Sequence, residues 1–466
     1  MKFSIVGKLW LVHSLIATVA ARSENAAAAQ VSIFVNPKLQ CQEIDGFGAS
    51  QAFQRAEDIF GKYGLPAVNQ TFVLNLLYDE NLGAGFTILR NGIGSSNTSD
   101  SNFMTSIEPK NPGGPKAKPD YVWDPYNRGL KTLYANAWSA PGYMKTNDDE
   151  NNGGYLGGVN NESCVSGNWM EAYARYLVEY GRFYKDSGVE VTHLGFLNEP
   201  QFAATYAGML SNGTQAANFI RVLARTIKIS GLNLKITCCD SIGWDGQEAM
   251  MPDLELGPDP AINYLDVVTG HGHDSPPAYP LSTNKKTWLT EWADLTGDFT
   301  PYTFYENGGP GEGLTWAKHI QVALRDAGTS GFLYWIGAEN STTNSALINL
   351  VNNEVIPSKR FWAFAHFSKF VRPGARRIDA VSSHSNITAS SFKNQNGRIA
   401  IQLLNQGGSD VLVQVLIAGL QSGVSVVPYV TSNDHDLEPL APIVSESGGS
   451  FKATIPRWSM ITYIAM

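Results

Sequence analysis

From about residue 44 to 370, short apolar runs alternate with stretches in which apolar residues recur every three or four positions. The first pattern marks strands buried on both faces, the second marks amphipathic helices. Strands are predicted over 44–50, 85–93, 132–138, 191–198, 234–240, 264–271, 286–291 and 331–336. The best-marked helix covers 169–187. Met170, Tyr173, Leu177, Tyr180 and Tyr184 form its buried stripe, Asn168 stands as N-cap with Glu171 at the capping-box position, and Gly188 ends it. Further helices are expected over 215–230, 312–327 and 358–371. Eight strands alternating with helices predict an α/β fold, a closed (β/α)8 TIM barrel over 44–371.

One unit breaks this pattern. Residues 94–131 carry five prolines and no helical periodicity, although a parallel strand pair needs a crossover, usually a helix. The expectation is that this crossover helix is missing, a change that could leave the barrel open. From 372 to 466 the period becomes that of strands alone, over 387–392, 398–404, 411–417, 425–431, 451–455 and 460–464, with a hairpin at Asn396-Gly397. This region is expected to be a β-sandwich fused to the barrel, with residues 31–43 pairing into it.

Composition narrows the class of partner. Hydrophobic residues make up 43% of 466 residues and charged residues 16%, enough apolar content for a large core. The net charge of −8 and the lack of basic runs argue against nucleic acid or an anionic membrane as partner. The aromatic supply, 11 Trp, 19 Tyr and 21 Phe, suits a surface on which sugar rings stack. Residues 1–21 have the basic, apolar and small-residue regions of a signal peptide, so a secreted, extracellular protein is expected. Sequons at Asn69, Asn97, Asn161, Asn212, Asn340 and Asn386 fit a glycoprotein. Cys41, Cys164, Cys238 and Cys239 show no zinc-site spacing. Cys238 and Cys239, adjacent on a strand, should point to opposite faces and not share a partner.

Functional side chains of such barrels sit at the C-terminal ends of strands. Glu199, in Asn198-Glu199-Pro200, ends the fourth strand, and Glu291, in Thr290-Glu291-Trp292, ends the seventh. Two facing carboxylates are what glycosidic cleavage needs: one protonates the leaving oxygen, the other attacks the anomeric carbon or activates water. Ordinary barrel-end ion pairs are the alternative.

The surrounding motifs resemble glycoside hydrolase family 30. They are Asp45-Gly46-Phe47-Gly48-Ala49, Leu89-Arg90-Asn91, the run Trp138 to Lys145, Asn198-Glu199-Pro200 and Thr290-Glu291-Trp292-Ala293-Asp294. The likeness spans nearly all of residues 40–466. It implies Glu199 as acid/base, Glu291 as nucleophile, Asn198 on the sugar 2-hydroxyl, and Arg90 holding the nucleophile ionised. Trp138 and Trp335 are implied as subsite walls, and His271 as a contact of substrate or acid/base. Together with Cys238-Cys239-Asp240, the pattern looks most like the fungal xylanase branch, whose substrate is plant cell-wall xylan. Arg55, after the first strand, is a candidate reader of glucuronate side chains, since a guanidinium clasps a carboxylate through two hydrogen bonds.

The expected activity is retaining cleavage of β-1,4-xylan by a monomer, with no metal or organic cofactor and an acidic pH optimum. Cleavage of β-1,6-glucan or β-1,6-galactan on the same scaffold is the first alternative. A barrel that binds carbohydrate without turnover is the second. Asn136 stands where this family pattern leads one to expect Asp, which puts any charged role there in doubt.

Overall fold

The computed structural model describes residues 31–62, 64–97, 104–122 and 133–466. The expected signal peptide, and residues 98–103 and 123–132 of the irregular stretch, lie outside them. Strand β1 (Val31–Glu43) precedes eight parallel strands: β2 (Gly46–Ser50), β3 (Ile88–Ile93), β4 (Leu133–Ala137), β5 (Val191–Gly195), β6 (Lys235–Ser241), β7 (Leu265–His271), β8 (Lys286–Glu291) and β9 (Gly331–Glu339). Each pairs with the next, and β9 pairs with both β2 and β8, so the ring is closed. A hairpin of β10 (Ala346–Val351) and β11 (Glu354–Pro357) extends β9. Its two-residue turn, Asn352-Asn353, has φ of 52° and 66°, the turn type that matches strand twist.

Alternation along the strands builds two different surfaces. Leu89, Leu133, Ala135, Leu194, Val268, Leu289 and Phe332 join one large core with the helices outside the ring. Ile88, Tyr134, Val267, Trp288 and Leu333 meet in a separate cluster, the barrel interior. Two residues further along their strands stand Arg90, Asn136, Thr269 and Thr290, all fully buried. The interior is thus apolar below and polar above, towards the strands' C-terminal ends.

The helices are α1 (Glu57–Phe60), α2 (Ala67–Tyr78), α3 (Met170–Asp186), α4 (Gly213–Ser230), α5 (Trp244–Glu255), α6 (Gly313–Arg325) and α7 (Lys359–Ser368). Helix α3 begins one residue later than expected. Trp169 occupies the N-cap position, and Asn168 instead accepts a bond from the Met170 N–H. A complete capping box occurs on α4, between Asn212 and Gln215.

The connection from β3 to β4 holds no helix among its described residues. Bridges pair Gly94 with Ser106 and Ser96 with Thr105, and Tyr143 O–H donates to the Glu108 carbonyl at 2.9 Å. The irregular chain covers α3 in a helix's place, with the Ser106 hydroxyl 3.2 Å from the Tyr176 hydroxyl. The ring stays closed: β3 and β4 pair over five residues, from Leu89↔Leu133 to Ile93↔Ala137.

Strands β12 (Arg376–Ser382), β13 (Ile387–Lys393), β14 (Ile399–Asn405), β15 (Val411–Ile417), β16 (Ser425–Thr431), β17 (Glu438–Pro439), β18 (Ile443–Val444), β19 (Ser450–Ile455) and β20 (Ser459–Ala465) form a curled second sheet with β1. This is the side β-sandwich. Val31, Ile33 and Val35 face inward while Ser32 and Phe34 face out, and β1 pairs antiparallel with β12 and parallel with β15. The sandwich has its own aliphatic core, including Val413, Val415, Ile417 and Ile461. Each such side chain contributes about 1.5–3 kcal/mol on burial. Helix α7 bridges the two lobes through His366, whose ring nitrogens lie 2.7 Å from the Thr462 hydroxyl and 2.9 Å from that of Thr431.

Candidate active site

The polar upper layer of the barrel is a charge network centred on Arg90. Its guanidinium is fully buried and donates to the Glu291 carboxylate, to Asn198 Oδ1 at 2.5 Å, and lies 3.6 Å from Asp240 Oδ1. The Trp138 ring lies beneath the cation, 4.4 Å from Cζ to centroid, so this charge is enclosed by both carboxylates and a π face. An unpaired charge here would be prohibitively costly, and the pairing is what lets it exist.

Glu199 and Glu291 stand at the mouth, 7% and 6% exposed. One carboxylate oxygen of each lies within 4.8 Å of the other. Glu199 has φ of 48°, and its N–H donates to the Asp240 carbonyl at 2.8 Å. A non-glycine residue in the left-handed region is costly, and such strain concentrates where a side chain must be aimed. Around Glu291 sit His273 Nε2, 3.1 Å from Oε1, and His271 Nε2, 3.9 Å from Oε2. Burial raises the pKa of Glu291, but the cations His271 and Arg90 and the His273 bond outweigh it and hold the carboxyl well below the usual range.

His271 ends β7 with Nδ1 3.2 Å from Glu199 Oε1 and Nε2 3.2 Å from Asp240 Oδ1. Burial lowers its pKa, but the Glu291 charge and the bonds to Asp240 and Glu199 raise it further, to about 9. Glu199, His271, His273 and Glu291 bring one donor atom each within 4.8 Å. The donors already satisfy one another: His271 pairs with Glu199, His273 with Glu291.

Above the carboxylates opens a cavity of about 530 Å³. Phe53, Trp138, Tyr206 and Trp335 wall it, with Phe53 centroids 5.3 Å from Trp138, 5.8 Å from Tyr206 and 6.0 Å from Trp335. Phe53 and Gln54 have φ of 54° and 60°, a bend that turns the loop after β2 back over the mouth. Arg55 lines the same cavity. Its Nε donates to Glu339 Oε1 at 2.6 Å and Nη1 to the Phe53 carbonyl at 2.8 Å.

The residues singled out from the sequence therefore gather in one place but at two depths. Glu199, Glu291, Trp138, Trp335 and Arg55 line the cavity. Arg90, Asn198 and His271 lie behind that lining and touch the glutamates or each other. His273, Tyr206, Phe53 and Asp240 were not singled out as site residues. His273 had a signal, since it lies two positions past a strand-end histidine. Asn136 donates to the Leu197 carbonyl at 2.9 Å, a bond that an ionised Asp could not make. The adjacent cysteines depart from expectation. Cys238 and Cys239 form a disulfide with each other, their Cα atoms only 3.0 Å apart rather than turned to opposite faces. Cys41 and Cys164 are free.

Comparison with known proteins gives the family. The catalytic domain of the family 30 xylanase C from Talaromyces cellulolyticus is 39% identical, with a TM-score of 0.83, over 93% of this chain and 100% of that one. The chain belongs to glycoside hydrolase family 30. Models of the family 30 TIM-barrel domain match residues 122–228, and of its beta sandwich domain residues 374–463. Glucuronoxylanase XynC of Bacillus subtilis (strain 168) is 24% identical over 71% of this chain and 73% of its own length. Endo-1,6-beta-D-glucanase BGN16.3 of Trichoderma harzianum is 23% identical over 83% and 82%. The protein is a glycoside hydrolase with the barrel and side sandwich of this family.

Proposed function

We propose that this family 30 enzyme cleaves β-1,4-xylan, in particular glucuronoxylan, with retention of configuration. The observation that carries the mechanism is the approach of Glu199 and Glu291 to within 4.8 Å at the floor of an aromatic cavity. Retaining pairs stand about 5–5.5 Å apart, whereas inverting pairs leave about 6.5–9.5 Å for a water. Glu291, held ionised, attacks the anomeric carbon while Glu199 gives its proton to the departing glycosidic oxygen. Water then enters, Glu199 takes its proton, and the bond from Glu291 to the sugar breaks. Asn198, its amide oxygen held by Arg90, turns N–H donors towards the sugar 2-hydroxyl. The aromatic wall stacks on sugar faces, and the Arg55 guanidinium, which lines the cavity, receives a glucuronate carboxylate.

Xylan is favoured by the 39% identity to a xylanase. Cleavage of a β-1,6-glucan is the second reading, favoured by the Trichoderma harzianum relative. The segment 1–21 and the sequons support secretion as a glycoprotein that acts on cell-wall polysaccharide outside the cell. The test is a mass-spectrometric product profile on glucuronoxylan, arabinoxylan, β-1,6-glucan and β-1,6-galactan, with Glu291→Gln as control. Proton NMR of the first-formed anomer accompanies it. Glucuronate-bearing xylo-oligosaccharides or xylobiose of β configuration are expected. Products from the 1,6-linked glycans alone overturn the substrate, and an inverted anomer overturns the mechanism.

A further inference from the structure

Asp240 touches no part of the cavity, yet it is 1% exposed and surrounded by donors. Its Oδ1 accepts from the Thr290 hydroxyl at 2.5 Å and lies 3.2 Å from His271 Nε2 and 3.6 Å from an Arg90 nitrogen. Its Oδ2 accepts from Thr269 at 2.9 Å and from the Tyr134 hydroxyl. A carboxylate this deep is costly unless paired, and five side chains from four strands converge to pair it. Of these, His271 alone reaches onward to Glu199.

We propose that Asp240 is a positioning residue that keeps His271 charged between Glu199 and Glu291, so that one fixed cation serves whichever glutamate bears the negative charge. The inference rests on the assignment of those two glutamates as the reacting pair. Its geometry is that of a relay. Both ring nitrogens of His271 face carboxylate oxygens, Nδ1 towards Glu199 and Nε2 towards Asp240, with Glu291 Oε2 3.9 Å from Nε2. A ring with acceptors on both sides is satisfied only as the doubly protonated imidazolium. In the first step the bond from Glu291 to the anomeric carbon forms, the glycosidic bond breaks, and the Glu199 proton goes to the leaving oxygen. One negative charge thus vanishes from Glu291 and appears on Glu199. His271 lies against both ends of that displacement and need not move, which is how preorganised charge lowers a barrier.

The charged and titratable groups facing His271 are Asp240 from β6, Glu199 after β5, Glu291 from β8, Arg90 from β3 and His273 from its own loop. Arg90 disfavours its charge and the carboxylates favour it. Asp240→Asn leaves the backbone bond from the Glu199 N–H to the residue 240 carbonyl in place and removes the charge, while its new amide N–H2 can face the Thr269 and Tyr134 hydroxyls, which can turn to accept.

The sign of the effect discriminates. If Asp240→Asn lets His271 lose its proton, Glu291 and Glu199 lose a closer cation as well as a farther anion, and both become harder to ionise. Both limbs of the kcat/KM–pH profile then move to higher pH, by about half a unit or more. If His271 stays charged without Asp240, the limbs move to lower pH, and the proposal fails. A merely structural role lowers the rate at every pH without moving the limbs, and overturns it equally. Nitrogen NMR of histidine-labelled full-length protein, assigned with His271→Gln, reads the same point without turnover. His271 is expected to hold its proton to about pH 9 in the natural protein. In Asp240→Asn it should already have lost it across the pH range of the activity profile. Titration of His271 at or below 6.5 in the natural protein overturns the proposal even if the variant does not fold. Should none of the four glycans be cut while His271 behaves as stated, the functional reading fails and the Asp240 assignment stands.

Discussion

His271 at the barrel mouth and His366 in the seam between barrel and sandwich are both fully buried. Their neighbours differ. His271 faces three carboxylates, and its pKa rises to about 9. His366 faces two threonine hydroxyls, and burial drives its pKa down to about 3. Burial alone favours the neutral ring in both places; only the partners at the mouth reverse it. The mouth therefore holds charge that the fold keeps at a cost, whereas the seam holds a neutral, satisfied bridge whose task is to join two lobes. Changes at the mouth should act on rate, and changes in the seam on stability.

The sharpest break between the two regions comes from Glu291→Gln, which removes the ionised carboxylate and leaves its shape. Hydrolysis should fall by about four orders of magnitude or more while the cooperative melt survives, measured as initial rates and calorimetry on one preparation. Residual activity within tenfold of the natural protein would place the chemistry elsewhere.

The converse test is His366→Ala. It removes the ring partner of two buried hydroxyls, of which Thr431 keeps only the bond from the Leu437 N–H, and opens space under β16 and β20, at a cost of about 2–4 kcal/mol in urea unfolding. The folded fraction should keep its kcat/KM. The pH dependence follows with a definite sign. A histidine whose folded pKa is depressed from 6.5 to about 3 binds its proton only when unfolded, so stability is lost as pH falls below about 6.5. His193 and His319, lowered to about 3 and about 4, act in the same direction. His366→Gln should make that acid-side loss shallower without abolishing it. His271 acts in the opposite direction. Its contribution is complete below 6.5 and is lost as pH rises through about 9.

The difference between these regions also explains what could be read along the chain. Glu199 and Glu291 were legible because each ends an apolar run and lies in a local motif. Asp240 was legible only as part of a Cys-Cys-Asp triplet. Its meaning arises when β3, β4, β7 and β8 bring Arg90, Tyr134, Thr269 and Thr290 around it, a convergence no local pattern encodes. Strands were placed more surely than helices. The overlooked helix α2 buries only Val73, Leu76 and Leu77, and two asparagines and a threonine weaken its helical signal. Overlooked α5 contains Gly246 and Pro252. The seam was invisible, because His366 falls within a run rich in Phe and Trp whose outer partners come from about 65 and 96 residues away.

Arg55 offers the smallest effect and the finest test, since it lies at the mouth but outside the charge network. Its guanidinium is anchored to Glu339, which also accepts from Ser345 Oγ at 2.7 Å. Glu339 therefore both aims Arg55 into the cavity and offsets part of its charge. Arg55→Ala should lower kcat/KM on glucuronoxylan by about tenfold relative to unsubstituted xylan, the loss of one charge-assisted pair. Glu339→Gln keeps a hydrogen-bond acceptor for Nε but removes the competing charge, so the same ratio should rise by a few-fold. Opposite signs in the two variants would identify Arg55 as the glucuronate contact. A ratio unmoved in both would assign the pair to the loop's architecture, holding the bend at Phe53 and Gln54 that places an aromatic ring in the wall above Glu199 and Glu291.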